Sequence, residues 1–142
     1  MAALVDTNVL VYRFDPRFPE KQRRATDVLR RGIANGDLRV PHQAVVEFFA
    51  AVTRRLQDGV SLLSRADAIQ ETEAIIRQFP ILYPDEDVLR TALRGMATYG
   101  LSWFDAHLWA YADSRGIAEI LSEDFQAARM YGSVRVVNPF SD

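Results

Sequence analysis

The residues of this sequence best suited to do chemistry are four acids. Residues 2–5 form a short apolar run that ends at Asp6. Such a run reads as a buried strand, which leaves Asp6 at a strand end as either a loop or capping acid or a ligand-facing carboxylate. Asp124 stands just past the predicted strand 117–122 and is open to the same two readings, since it could cap a short helix at 125–130. Its neighbour Glu123 competes with it for any role. On a helical wheel, Leu108, Trp109 and Ala112 fall within about 60° of Asp105, so this acid sits within an apolar face. A lone buried carboxylate is costly unless it is paired, capped or bound to a metal. Ser102-Trp103-Phe104-Asp105 also has the spacing of a capping box, so a structural role stands beside the chemical one. Glu47 lies opposite the stripe Val45, Phe49, Val52, Leu56 and close to the azimuth of Arg54; taken alone it reads as a solvated glutamate.

Other catalytic groups are sparse. There is no cysteine, which excludes a thiol nucleophile, a disulfide scaffold and cysteine-ligated metals. His42 falls at a helix start, and His107 lies about 160° from Asp105 on the wheel. The sequence has no GxGxxG, Walker A or GxSxG motif. A receiver-type phospho-acceptor site needs a lysine late in the sheet, and the only lysine is Lys21.

The elements that must position these acids alternate. Strands are expected at 2–5, 38–40, 81–83, 117–122 and 134–137, and helices at 9–14, 20–34, 43–56, 65–79, 85–99, 102–115 and 125–130. Thr7 and Asn8 are expected to cap the first helix, Ser64 the fourth. Short β runs alternating with helices predict an α/β fold, a short mostly parallel sheet flanked by helices. In such sheets ligands sit at the carboxyl ends of the strands, where Asp6 and Asp124 fall. A length of 142 residues predicts a single domain over 1–142.

The chain is 49% apolar and 25% charged, which is ordinary for a globular protein and excludes long disorder. No apolar run approaches a membrane span. The start, Met-Ala-Ala-Leu-Val-Asp, lacks a basic region and is not expected to be a signal peptide. A cytoplasmic location is the expectation. The net charge of −2 argues against nucleic-acid binding by bulk charge. Basic residues nevertheless cluster early, and Arg23, Arg24, Arg30 and Arg31 are candidates for phosphate contact, unless they form a solvated helix face.

Four segments together resemble the PIN-domain family, especially its VapC-type toxin ribonucleases. They are Leu4-Val5-Asp6-Thr7-Asn8-Val9-Leu10, the helix with Glu47 before Phe48, Leu101-Ser102-Trp103-Phe104-Asp105-Ala106, and Ile120-Leu121-Ser122-Glu123-Asp124-Phe125 followed by the strand at 134–137 and Asn138-Pro139-Phe140. The resemblance implies a catalytic set of Asp6, Glu47, Asp105 and Asp124, with Asp6 and Asp105 as metal ligands. Thr7, Asn8 and Ser122 would lie beside that set, with Glu123 the rival to Asp124. It implies hydrolysis of RNA phosphodiester bonds with Mg²⁺ or Mn²⁺, a homodimer, and silencing by a cognate antitoxin in a type II toxin–antitoxin pair. The physics is consistent: two carboxylates ~6 Å apart repel by roughly 3 kcal/mol at an effective dielectric near 20, so four require a cation, shared protons or a basic neighbour. Mg²⁺ and Mn²⁺ prefer oxygen ligands. An RNA- or partner-binding module of the same fold, with weak or no catalysis, is the alternative. A phosphohydrolase with an aspartyl nucleophile is disfavoured, because Asp6-Thr7-Asn8 lacks the second acid of Asp-x-Asp.

Overall fold

A computed structural model describes residues 1–125 and 129–141. In chain order the elements are β1 (Ala3–Val5), α1 (Thr7–Tyr12), α2 (Pro19–Asn35), β2 (Leu38–Pro41), α3 (His42–Thr53), α4 (Arg65–Gln78), β3 (Ile81–Leu82), α5 (Glu86–Tyr99), α6 (Trp103–Ser114), β4 (Glu119–Leu121), β5 (Met130–Tyr131) and β6 (Val134–Val137). The sheet order is β3-β2-β1-β4-β6-β5. All neighbours pair in parallel except β5 with β6. This is the α/β architecture expected from the alternation of elements, with helices covering both faces of the sheet.

The pleat sorts the core. Successive residues of a strand point to opposite faces. Leu4 joins Trp109, Tyr111 and Ile120 on the side covered by α5 and α6. Ala3 and Val5 join Val9, Leu29, Phe48 and Ile75 on the side covered by α1 to α4. From β1 the chain moves outward to β2 and β3, then returns to place β4 on the other side of β1. The strand order therefore reverses at β1, and the crevice outside its carboxyl end is where a parallel sheet offers a binding site. Asp6 leaves β1 there, its amide donating to the Leu121 carbonyl at the end of β4 (3.0 Å).

Several local expectations are corrected. Thr7 and Asn8 do not cap α1. Asp6 does, its carboxylate accepting from the Thr7 amide, and the helix begins two residues early. Helix α3 stops at Thr53 rather than running to 56, and it buries Ala44, Phe48 and Val52. The fourth, fifth and sixth helices start where their caps Ser64, Asp85 and Ser102 indicate. Of the helix expected at 125–130, residues 126–128 lie outside the described residues, and Met130 opens strand β5 instead. Among the described residues no helix is long and apolar enough to cross a membrane.

Candidate active site

Asp6 is the most enclosed of the four acids. Its Oδ1 accepts from the Thr7 amide (2.6 Å) and its Oδ2 from the Ser122 hydroxyl (2.6 Å) and the Asn8 amide nitrogen (3.3 Å). These donors favour the charged form. Burial outweighs them and, with the charges of Asp124 and Glu47, pushes the carboxyl from 3.8 up to about 6.

The other acids are tied to the same corner. Thr7 Oγ1 donates to Glu47 Oε2 (2.8 Å), joining α1 to α3. Gln43 Nε2 donates to Glu47 Oε1 (3.2 Å) and to the Phe104 carbonyl (3.5 Å), joining α3 to the first turn of α6. Asn8 Nδ2 donates to Asp124 Oδ2 (3.0 Å), and the fully buried Ser122 Oγ accepts from the Asp124 amide (3.0 Å). Asp105 lies in the first turn of α6. Ser102 Oγ accepts from its amide (3.2 Å), so the capping geometry read from the sequence is present. Burial nevertheless raises its carboxyl, and the charges of Asp124 and Glu47 raise it further. Capping and membership of the acidic cluster coexist at this residue.

Glu123 turns elsewhere. It accepts from Tyr12 Oη (2.6 Å) and pairs with Lys21 Nζ (2.8 Å). Its charge is therefore compensated, while Asp124 has only the neutral Asn8 amide as its side-chain donor among the described contacts. His107 bonds back to the Trp103 carbonyl and His42 packs on Tyr83.

A cleft of about 560 Å³ opens over this corner. Thr7, Asn8, Glu47 and Asp124 line it, and it continues past Tyr12 to Arg17, Phe18 and Arg54. The arginines singled out from the sequence are not among its lining residues. Arg23 and Arg24 pair with Glu20 on their own helix. Arg30 and Arg31 sit on the last turns of α2, and Arg31 lines a depression with Ala3, Leu38 and Glu119, at the amino ends of the strands. Arg17 and Arg54 are the arginines that line it. The signal for Arg54 was present, since it shares an azimuth with Glu47; Arg17 follows an irregular turn that no periodicity describes.

The site offers oxygen donors alone, of the kind hard divalent cations prefer. Among the described residues no three acids or histidines stand close enough together to form a ready-made cage. Oxygen donors of this kind suit an ion such as Mg²⁺, which retains several waters and is held through one or two carboxylates. Asn8 Oδ1 is buried without a hydrogen-bond partner while its Nδ2 faces Asp6, Ser122 and Asp124, so the amide is spent on ordering acids.

Ser122→Ala removes the shortest side-chain donor to Asp6. We expect a loss of about 1–3 kcal/mol of stability at pH 7 by denaturant unfolding, with Asp6 titrating still higher by carboxyl NMR. A loss below about 0.5 kcal/mol would show that the hydroxyl does not support the buried charge.

The sequence profile of the PIN domain matches residues 3–133. No curated protein matches the sequence. Among solved structures, a toxin–antitoxin complex from Klebsiella pneumoniae superposes with a TM-score of 0.70 at 19% identity, covering 97% of this chain and 98% of that one. VapC20 of Mycobacterium tuberculosis, described as a sarcin–ricin loop cleaving toxin, gives 0.60 at 16% identity, covering 87% and 90%. VapBC2 from Rickettsia felis, bound to promoter DNA, gives 0.68 at 11% identity, covering 96% and 97%. At these identities the likeness is one of fold.

Proposed function

Because the chain belongs to the PIN-domain family, we propose that its acidic corner is the active site of a metal-dependent endoribonuclease, the toxin of a type II toxin–antitoxin pair. The observation that carries this reading is the gathering of Asp6, Glu47 and Asp124 at the sheet's switch point through Thr7, Asn8 and Ser122, with Asp105 beside them. Asp6 feels Asp124 and Glu47, and Asp105 feels the same two. In this reading Asp6 and Asp105 hold Mg²⁺ or Mn²⁺, and Glu47 and Asp124 complete the catalytic set. The ion would supply Lewis-acid stabilisation of the phosphate and a more acidic water. The protein's own part is positional. Thr7 fixes Glu47, Asn8 fixes Asp124, and Ser122 holds both Asp6 and the turn that carries Asp124. Glu123 is left out of the set, because Lys21 and Tyr12 already satisfy it. A cognate antitoxin, a homodimer and a cytoplasmic setting belong to the same proposal. The antitoxin partner is supported by the toxin–antitoxin complexes among the similar folds.

The test is cleavage. The purified protein should cut RNA with Mg²⁺ or Mn²⁺ and stop when the ion is chelated. Asp105→Asn should abolish cleavage and shrink the metal-induced rise in Tm, which for an ion at 100 times its Kd corresponds to about 2.7 kcal/mol in the wild type. Cleavage that survives chelation would overturn the metal mechanism. A protein that shows the Tm rise yet cuts no RNA would be a binding module instead.

A further inference from the structure

The cleft does not end at the acids. Arg54 caps the carboxyl end of α3, seven residues beyond Glu47, so the Arg54 end of the cleft is about 10 Å further along the helix direction. Arg54 is exposed and, among the described residues, pairs with no acid. On the other wall, the turn after α1 brings Asp15, Arg17 and Phe18 to the cleft. Asp15 is nearly fully buried and grips Arg17 in a bidentate pair, Nε to Oδ1 at 2.9 Å and Nη2 to Oδ2 at 2.8 Å. The pair fixes the guanidinium on the cleft wall with Nη1 unused by Asp15. Beside it Phe18 is 43% exposed, a large aromatic ring at the cleft met edge-on by Tyr12 at 5.7 Å, with the Arg17 guanidinium 5.4 Å and Lys21 Nζ 5.7 Å from its centroid, cations that a stacking base would join or displace. One end of the cleft is thus lined by carboxylates and the other by two guanidiniums and an aromatic face.

We propose that the Arg17–Phe18–Arg54 end of the cleft is a subsite for an unpaired nucleotide flanking the scissile phosphate, with the base stacked on Phe18 and its phosphates held by Arg54 and Arg17. This rests on the ribonuclease reading of the acidic end. Guanidiniums recognise phosphate oxygens, and an exposed aromatic ring is available to a base only when that base is out of a helical stack. The cleft holds about 560 Å³, room for a nucleotide. The substrate class is therefore RNA with a single-stranded segment at the cut. Sequence preference at the subsite is weak, because stacking tolerates any base.

The experiment measures binding of a fluorescein-labelled single-stranded RNA oligonucleotide, and of a blunt duplex of the same sequence, by anisotropy in EDTA over a salt series. A parallel measurement follows cleavage of the single strand with Mg²⁺. The wild type should prefer the single strand. Phe18→Ala should weaken its binding about tenfold and raise KM more than it lowers kcat. Phe18→Leu, which keeps an apolar cap at the start of α2, should lose most of the same affinity and so separates stacking from folding. Arg54→Gln should flatten the salt slope by roughly 0.7 unit. Arg17 is left unsubstituted, since its removal would strand the buried Asp15. If the wild type cuts RNA with Mg²⁺ but all three variants match its affinity, slope and KM, the subsite is overturned and the ribonuclease reading stands. Equal affinity of the wild type for duplex and single strand overturns the subsite too. If no RNA is cut at all but the variants lose single-strand affinity as stated, the subsite stands and the ribonuclease reading fails.

Discussion

In metal-free buffer the wild type should lose about 3 kcal/mol of stability as pH rises from about 3 to about 7, and Asp6→Asn should remove most of that fall. The sign follows from burial. The Asp6 carboxyl titrates near 3.8 in the unfolded chain and at about 6 in the folded one. The unfolded state therefore releases this proton first, and over that interval ionisation favours unfolding. The stability tied to the protonated form is complete below 3.8 and is lost as pH passes about 6. A difference of this size, at 1.36 kcal/mol per pH unit, gives the quoted magnitude. Asp105, which burial also raises, leaves a smaller residual fall in the variant. Saturating Mg²⁺ should flatten the wild-type curve, because a cation favours the ionised carboxylates, and should leave the Asp6→Asn curve almost unmoved. The same substitution should abolish RNA cleavage. Chemical unfolding at half-unit steps of pH, with and without Mg²⁺, checks the first three statements. A variant that keeps the full wild-type slope would show that another group carries it.

The order of elements and the position of the acids were legible because both depend on local chemistry. An apolar run ending in Asp6, and a serine three residues before Asp105, give the strand end and the helix start with no knowledge of packing. Glu47 was harder to read. A wheel centred on Val45, Phe49 and Val52 turns Glu47 toward solvent, whereas the buried stripe runs through the small Ala44 to Phe48 and Val52. Helix α3 packs against both α1 and α4, so its buried arc is wider than one stripe and its boundary runs past Glu47 to Thr7. The early arginines illustrate a second limit. Their closeness in sequence is real, yet α2 returns from the carboxyl ends of the strands toward their amino ends. Arg30 and Arg31 are thereby carried away from the acids. Strand β5 is two residues long, below the length at which any alternation can be counted, and only pairing with β6 defines it. Cleft residues such as Arg17 belong to a turn, whose course is set by the buried Asp15 and not by a period.

The largest effect on stability alone is expected at Trp109. Trp109→Ala should cost about 3–5 kcal/mol, the range for emptying a large aromatic site in a core. The indole is 6% exposed, meets the Tyr99 ring edge-on at 5.4 Å, and donates from Nε1 to the Tyr131 carbonyl at 2.9 Å. It also lies directly on Gly95 of α5, where a β-carbon would approach the ring to 2.7 Å. The glycine therefore admits the indole, and the indole in turn locks α6 against α5 and against the short strand β5. Filling this space with alanine leaves a void that the rigid helix pair cannot close, and it leaves a carbonyl of β5 without its donor. Trp109→Phe keeps a ring but not the N–H, so it should fall between alanine and the wild type. Asp105 is one turn before Trp109 on the same helix, and the loss should therefore reach the acidic corner. At a temperature where Trp109→Ala remains folded, Mg²⁺ should bind it more weakly than the wild type, although no proposed ligand has changed. Denaturant unfolding gives the first quantity and metal titration the second. A cost below about 1.5 kcal/mol would mean that α6 is held by its other contacts. Unaltered Mg²⁺ affinity in a destabilised variant would mean that the position of Asp105 is set by its cap at Ser102, independently of the core beneath it.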